Sequence, residues 1–103
     1  MECRTSKAII ISPETKEKLK IKHSVSPRHV EQCFENREGM FLIDDREDHR
    51  TDPPSMWFIA QDNEGRTLKV VFIFEHGNIY IKTAYSPSPE VISLYERKAK
   101  YKE

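Results

Sequence analysis

His23, Arg46, Lys82 and Tyr85 are the residues of this chain whose types suit acid–base chemistry on a phosphodiester. A base must take the 2′-hydroxyl proton, an acid must protonate the leaving oxygen, and a cation must offset the charge gathering on phosphorus. These four side chains can fill those roles without a metal or cofactor. Each also has a structural alternative. His23 could close a helix end, Arg46 could pair with a neighbouring acid, Lys82 could keep a sheet face soluble, and Tyr85 could be core. Arg46 stands in the stretch DDREDHRTD, where seven charged residues and a histidine fill positions 44–52. Such a stretch is either a solvated loop or the rim of a working surface.

Other chemistries find less support. His29 and Cys33 are spaced i, i+4, a workable metal-ligand pair, but no second pair completes a tetrahedron. Asp44, Asp45, Glu47 and Asp48 could offer oxygens to magnesium, yet Arg46 and Arg50 are interleaved with them and neutralise them. The chain carries no Gly-x-Ser-x-Gly elbow and no glycine-rich phosphate loop; its three glycines, Gly39, Gly65 and Gly77, fall in turn positions. We therefore expect no metal and no cofactor.

The elements that must position the candidates begin with three Ser-Pro pairs. Ser12-Pro13, Ser26-Pro27 and Ser88-Pro89 each place a capping hydroxyl before a first-turn proline, so each predicts a helix start. The second helix carries Val30, Cys33 and Phe34 as an apolar stripe, which makes Cys33 a core residue. The third carries Val91, Leu94, Tyr95 and Lys98 on one face. Strands are expected at Ala8–Ser12, Met40–Asp44, Met56–Asp62, Thr67–Glu75 and Asn78–Tyr85. The order is β-α-α-β-β-β-β-α, an α+β domain over 1–103 with 1–7 flexible.

The turns set a register. If Glu75 pairs with Asn78 around His76-Gly77, one face carries Leu68, Val70, Phe72, Phe74, Ile79, Ile81, Thr83 and Tyr85, and is core. The other carries Lys69, Val71, Ile73, Tyr80, Lys82 and Ala84. That places Lys69 beside Lys82 with Tyr80 nearby, a grouping suited to phosphate and a stacked base. If Asn63 pairs with Arg66, Trp57 points into the core and is a packing residue.

Composition narrows the class. Seventeen Lys and Arg balance 17 Asp and Glu over 103 residues, so any basic surface must be local. The two cysteines, Cys3 and Cys33, are too few for a disulfide scaffold. No apolar run is long enough to span a membrane, and no secretory signal is evident. The expectation is a cytoplasmic protein with no membrane partner.

The ordered segments IKHSVSPRHVEQCFENREG, DDREDHR, MWFIAQDNEGRTLKVVFIF and IYIKTAYSPSPEVISLYE resemble the BrnT-like toxins of type II toxin–antitoxin systems. The resemblance spans about residues 17–96. It implies a RelE/ParE-like fold with N-terminal helices, an antiparallel three- to four-stranded sheet and a C-terminal helix. It implies a metal-independent endoribonuclease toxin that cleaves mRNA, free or ribosome-associated, and is neutralised by a cognate antitoxin. By position it implies Lys22, His23, Arg46, Trp57 and Lys82 near the site. Ser24 stands where the family turn has glycine, and Tyr85 where it has arginine. Lys22, Arg66 and Lys69 would position phosphates, with Trp57 and Tyr80 also on the substrate side. His23 or Tyr85 would move protons, and Arg46 and Lys82 would stabilise the phosphorane. Two alternatives remain: a non-catalytic interaction module, favoured by Tyr85 in place of arginine, and an ADP-ribosyl-protein hydrolase, supported only by the acidic cluster.

Overall fold

The computed structural model describes residues 9–43 and 54–99. All three Ser-Pro signals open helices. Ser12 caps α1 (Pro13–Lys18), its side chain accepting from the Thr15 amide. The chain continues without a break into a π-helical turn, Leu19–His23, and leaves it through Ser24 in the left-handed conformation at φ 55°. Ser26 caps α2 (Pro27–Glu35), and His29 completes a capping box by accepting from the Ser26 amide. Ser88 accepts from the Val91 amide at the start of α3 (Pro89–Ala99). These starts are local chemistry, a hydroxyl three residues before a free N–H, so they are readable from sequence.

The strands are β1 (Ile9–Ile10), β2 (Leu42–Ile43), β3 (Ser55–Gln61), β4 (Thr67–Glu75) and β5 (Asn78–Tyr85). They form one five-stranded sheet in the order β1-β5-β4-β3-β2. The expected α+β class and element order hold, but the sheet is larger than three or four strands and is mixed. β1 pairs with β5 in parallel, Ile9 opposite Ile79, because the helices carry the chain across before it returns.

Two register findings decide which side chains face where. The β4–β5 hairpin turns at His76 and Gly77, both with positive φ, and pairs Glu75 with Asn78, Phe74 with Ile79 and Phe72 with Ile81 as expected. Then a β-bulge intervenes. Val71 pairs with Thr83, leaving Lys82 as the extra residue. One inserted residue reverses the parity beyond it. Ala84 is therefore fully buried, and Tyr85 turns to the face that carries Lys69, its cross-strand partner. The expected assignment of Thr83 and Tyr85 to the core face, and of Ala84 to the other, is corrected.

The β3–β4 turn is also one residue longer than a tight Asn63–Arg66 pair. Gln61 is opposite Thr67, and the Asp62 amide donates to the Arg66 carbonyl at 3.0 Å. Trp57 consequently lies opposite Val71 rather than Phe72. It is buried, as expected, but in the second layer, where Tyr95 of α3 packs on it at 5.5 Å between ring centroids.

The sheet thus has two covered regions. On one face Phe58 and Phe72 meet Phe34 and Phe41 edge-on, at 4.7 to 5.5 Å between ring centroids, within a core that includes Leu19, Val30, Cys33, Leu68 and Val70. On the other, α3 covers β3 through Tyr95, whose hydroxyl donates to the Met40 carbonyl at 2.8 Å. Gly39 leaves room for that ring: a Cβ would lie 2.6 Å from the Tyr95 hydroxyl oxygen and force it to shift. The β4–β5 part of this second face carries the candidate site.

Candidate functional site

Lys69 is the third residue of β4, lies on the second face and is only 9% exposed. Its ammonium lies 4.5 Å from the Trp57 ring centroid and 5.7 Å from that of Tyr85. No acid pairs with it among the described residues. Among the described residues, the two π faces are what stabilises its charge. An anion arriving at this face would complete it.

Tyr85, half-buried, is the last residue of β5. The His23 ring lies 5.8 Å from it, centroid to centroid. His23 ends the π-helical turn and is exposed, as is Lys22 before it. The register therefore brings His23, Tyr85, Lys69 and Trp57 into one patch, although Tyr85 and Trp57 each face the opposite way from the simple alternation. The bulge is what delivers Tyr85 to Lys69.

Other expected site residues lie apart. Lys82 donates to the Ser55 hydroxyl at 3.2 Å. Ser55 and Tyr80 both pair with Ile73. That row is four residues along β4 from Lys69, about 13 Å at the usual strand rise. The expected Lys69–Lys82–Tyr80 grouping is thus split into two ends of the face. Arg46 and the rest of its charged stretch lie outside the described residues, as does Cys3.

Arg66 is engaged within the fold. Its Nε donates to Asp62 Oδ2 at 3.4 Å, its Nη2 to the Ser24 carbonyl at 3.0 Å and its Nη1 to the His23 carbonyl at 3.4 Å. Nη2 also faces His29 Nδ1 at 3.2 Å. The sequence reading missed Asp62, which has no side-chain exposure. Its Oδ1 accepts from the amides of Glu64 and Arg66, each at 2.9 Å. Burial pushes the Asp62 carboxyl up, but those two amides and the Arg66 guanidinium outweigh it and hold the group below its ordinary value. The readable signal was an aspartate opening a Gly-containing turn, where its side chain can hold backbone amides.

His29, Asp62 and Glu64 place ligand atoms within 4.8 Å of one another. The Arg66 guanidinium already binds Asp62 and faces His29, so a metal would have to displace that cation. The sequence pair His29–Cys33 forms no metal site either. His29 Nδ1 accepts the Ser26 amide at 3.1 Å, while Cys33 is buried with its thiol directed to the Ala60 carbonyl at 3.8 Å. Burial, reinforced by the Asp62 carboxylate and partly opposed by Arg66, pushes that thiol up to about 12. It is not a nucleophile at neutral pH.

A half-open cleft of about 1240 Å³ lies between the segment after α2, the end of β3 and α3. Its walls carry Glu35, Glu38, Asp62 and Glu96 against Arg37, an acidic balance that disfavours anions. Among the described residues no helix is long and apolar enough to cross a membrane. No protein-family model matches the chain, and no curated protein matches it.

Proposed function

We propose that the chain is a metal-independent endoribonuclease toxin of the BrnT-like kind, with a RelE/ParE-like fold, acting on RNA in the cytoplasm and neutralised by a cognate antitoxin. The observation that carries this reading is the Lys69 ammonium, which among the described residues has the Trp57 and Tyr85 rings as its partners, with the His23 ring on the other side of the contact to Tyr85. A phosphate seated there gains a charge-assisted contact in a partly dry setting, where it is worth more than in water.

The chemistry then needs three roles. His23 takes the proton from the 2′-hydroxyl as the 2′ oxygen bonds to phosphorus. The bond from phosphorus to the 5′ oxygen breaks, and that oxygen takes a proton from Tyr85. Lys69 stabilises the extra negative charge in between. The products are a 2′,3′-cyclic phosphate and a 5′-hydroxyl. On the proposed resemblance Tyr85 stands where the toxins have arginine, and its cross-strand partner Lys69 would supply the cation instead.

Binding without cleavage is the second reading, and Tyr85 in place of arginine favours it. Induced expression separates the two. Wild-type protein should arrest bacterial growth, and Lys69→Met, which keeps the stem and removes the charge, should relieve the arrest at equal protein level. Normal growth with soluble wild-type protein would leave only the binding reading.

A further inference from the structure

The groups that hold His23 in place come from a hairpin far away in sequence. His23 and Ser24 end a helical segment, and terminal carbonyls of such a segment have no helical donor of their own. Arg66 donates to both, at 3.4 and 3.0 Å. Arg66 is in turn fixed by Asp62, which is locked by two amides of its own turn. His29 Nδ1, already accepting the Ser26 amide, lies at 3.2 Å from the same guanidinium nitrogen. The fork of one arginine thus joins the exit of the π-helical turn, the start of α2 and the β3–β4 hairpin. Three residues further along β4 stands Lys69.

We propose that Arg66, anchored by Asp62, is a positioning residue that sets the His23 imidazole against Tyr85 and Lys69, and that it does so without touching RNA. The proposal rests on the reading of His23 as the acid–base group. It departs from the simpler idea that Arg66 binds a phosphate. The geometry argues against that idea, because each of the three guanidinium nitrogens already has a partner within the fold. A flat, five-donor group meets two carbonyls and a carboxylate at once; a lysine ammonium cannot reproduce that fork.

The test uses the full chain and a single-stranded RNA oligonucleotide, with a 2′-O-methyl version for binding. In Arg66→Lys the RNA Kd should stay within about twofold, while the cleavage rate falls about a hundredfold, the size expected for a misplaced reacting group. The His23 ring proton resonances should move toward their positions in Tyr85→Leu, where the neighbouring ring current is gone. Asp62→Asn should move them the same way. In the wild type, the Arg66 Nε–H resonance should not shift when the 2′-O-methyl RNA binds, a measurement that needs no variant to fold.

Unmoved His23 resonances in both variants would overturn the positioning role. So would a Kd that weakens in step with the rate, or an Arg66 resonance that shifts with RNA, since either means direct contact. If the wild type does not cleave RNA, the functional reading fails, and the His23 resonances still decide whether Arg66 and Asp62 hold that ring.

Discussion

A side chain's chemistry here is set by which neighbours the fold gives it. Lys69 and Lys82 are both lysines on neighbouring strands, yet one is enclosed by Trp57 and Tyr85 and the other is exposed and bonded to Ser55. On the proposed reading only the first is an anion anchor. Ser24 shows the same dependence in the backbone. Its φ of 55° costs about 1 kcal/mol for a residue with a Cβ, partly balanced by the greater chain entropy that glycine loses on folding. Ser24→Gly should therefore raise stability by about 0.5 kcal/mol in urea denaturation; a lower midpoint would contradict the strained turn. Asp62 gives a pH prediction. Its carboxyl is held below the ordinary value, so its contribution is complete above that value and is lost as pH falls through the lowered one. The acid limb of the stability profile should flatten in Asp62→Asn. An unchanged acid limb would mean that the carboxylate is not held by its amides and Arg66.

At the scale of elements, the β5 bulge is the device that builds the site. It moves Tyr85 out of the core and puts Ala84 into it. Ala84→Leu should then cost about 1–3 kcal/mol by overpacking. Strict alternation would put position 84 on the outer face and make the change nearly neutral, so denaturation midpoints discriminate directly. Gly39→Ala should push Tyr95 away from Trp57, because the new methyl would collide with the tyrosine ring. The chain has one tryptophan, so its fluorescence reports that shift without ambiguity.

These elements also show what could be read in advance. The helix starts were legible because Ser12, Ser26 and Ser88 act on amides three residues away. The His76-Gly77 turn fixed the near half of the β4–β5 register for the same reason of short range. Past Ile81 the reading failed, since IYIKTAY alternates plausibly in either parity and nothing local marks the extra residue. The two-residue strands β1 and β2 are too short to show a period, and the parallel β1–β5 pairing joins residues about 70 apart in the chain. Of the site, the residue types were legible and the grouping was not. Arg66 looked like a free cation because its partners, the carbonyls of His23 and Ser24, carry no sequence signal.

Over the whole molecule, zero net charge conceals a division. Lys69 belongs to the His23–Tyr85 side and Lys22 precedes His23 in the chain, while Glu35, Glu38 and Glu96 line the cleft beside α3. On the proposed reading, an RNA strand would bind at the first region and be rejected by the second. With two lysines meeting phosphates, the logarithm of affinity should fall with the logarithm of salt at a slope of about −1.4 for a single strand. A much steeper slope would require a broader basic surface than these two lysines supply.

On the proposed reading, Lys69 holds the scissile phosphate while protein side chains alone move the protons. The most direct measurement is cleavage of a defined single-stranded RNA by purified protein in the presence of chelator, with the product ends analysed, beside Lys69→Met whose fold is checked by Trp57 fluorescence. The wild type should leave 2′,3′-cyclic phosphate ends, and the folded variant should cleave about 100- to 1000-fold more slowly, the usual loss when one stabiliser of the developing charge is removed. Equal rates from the two proteins, or cleavage that stops with chelator, would contradict it.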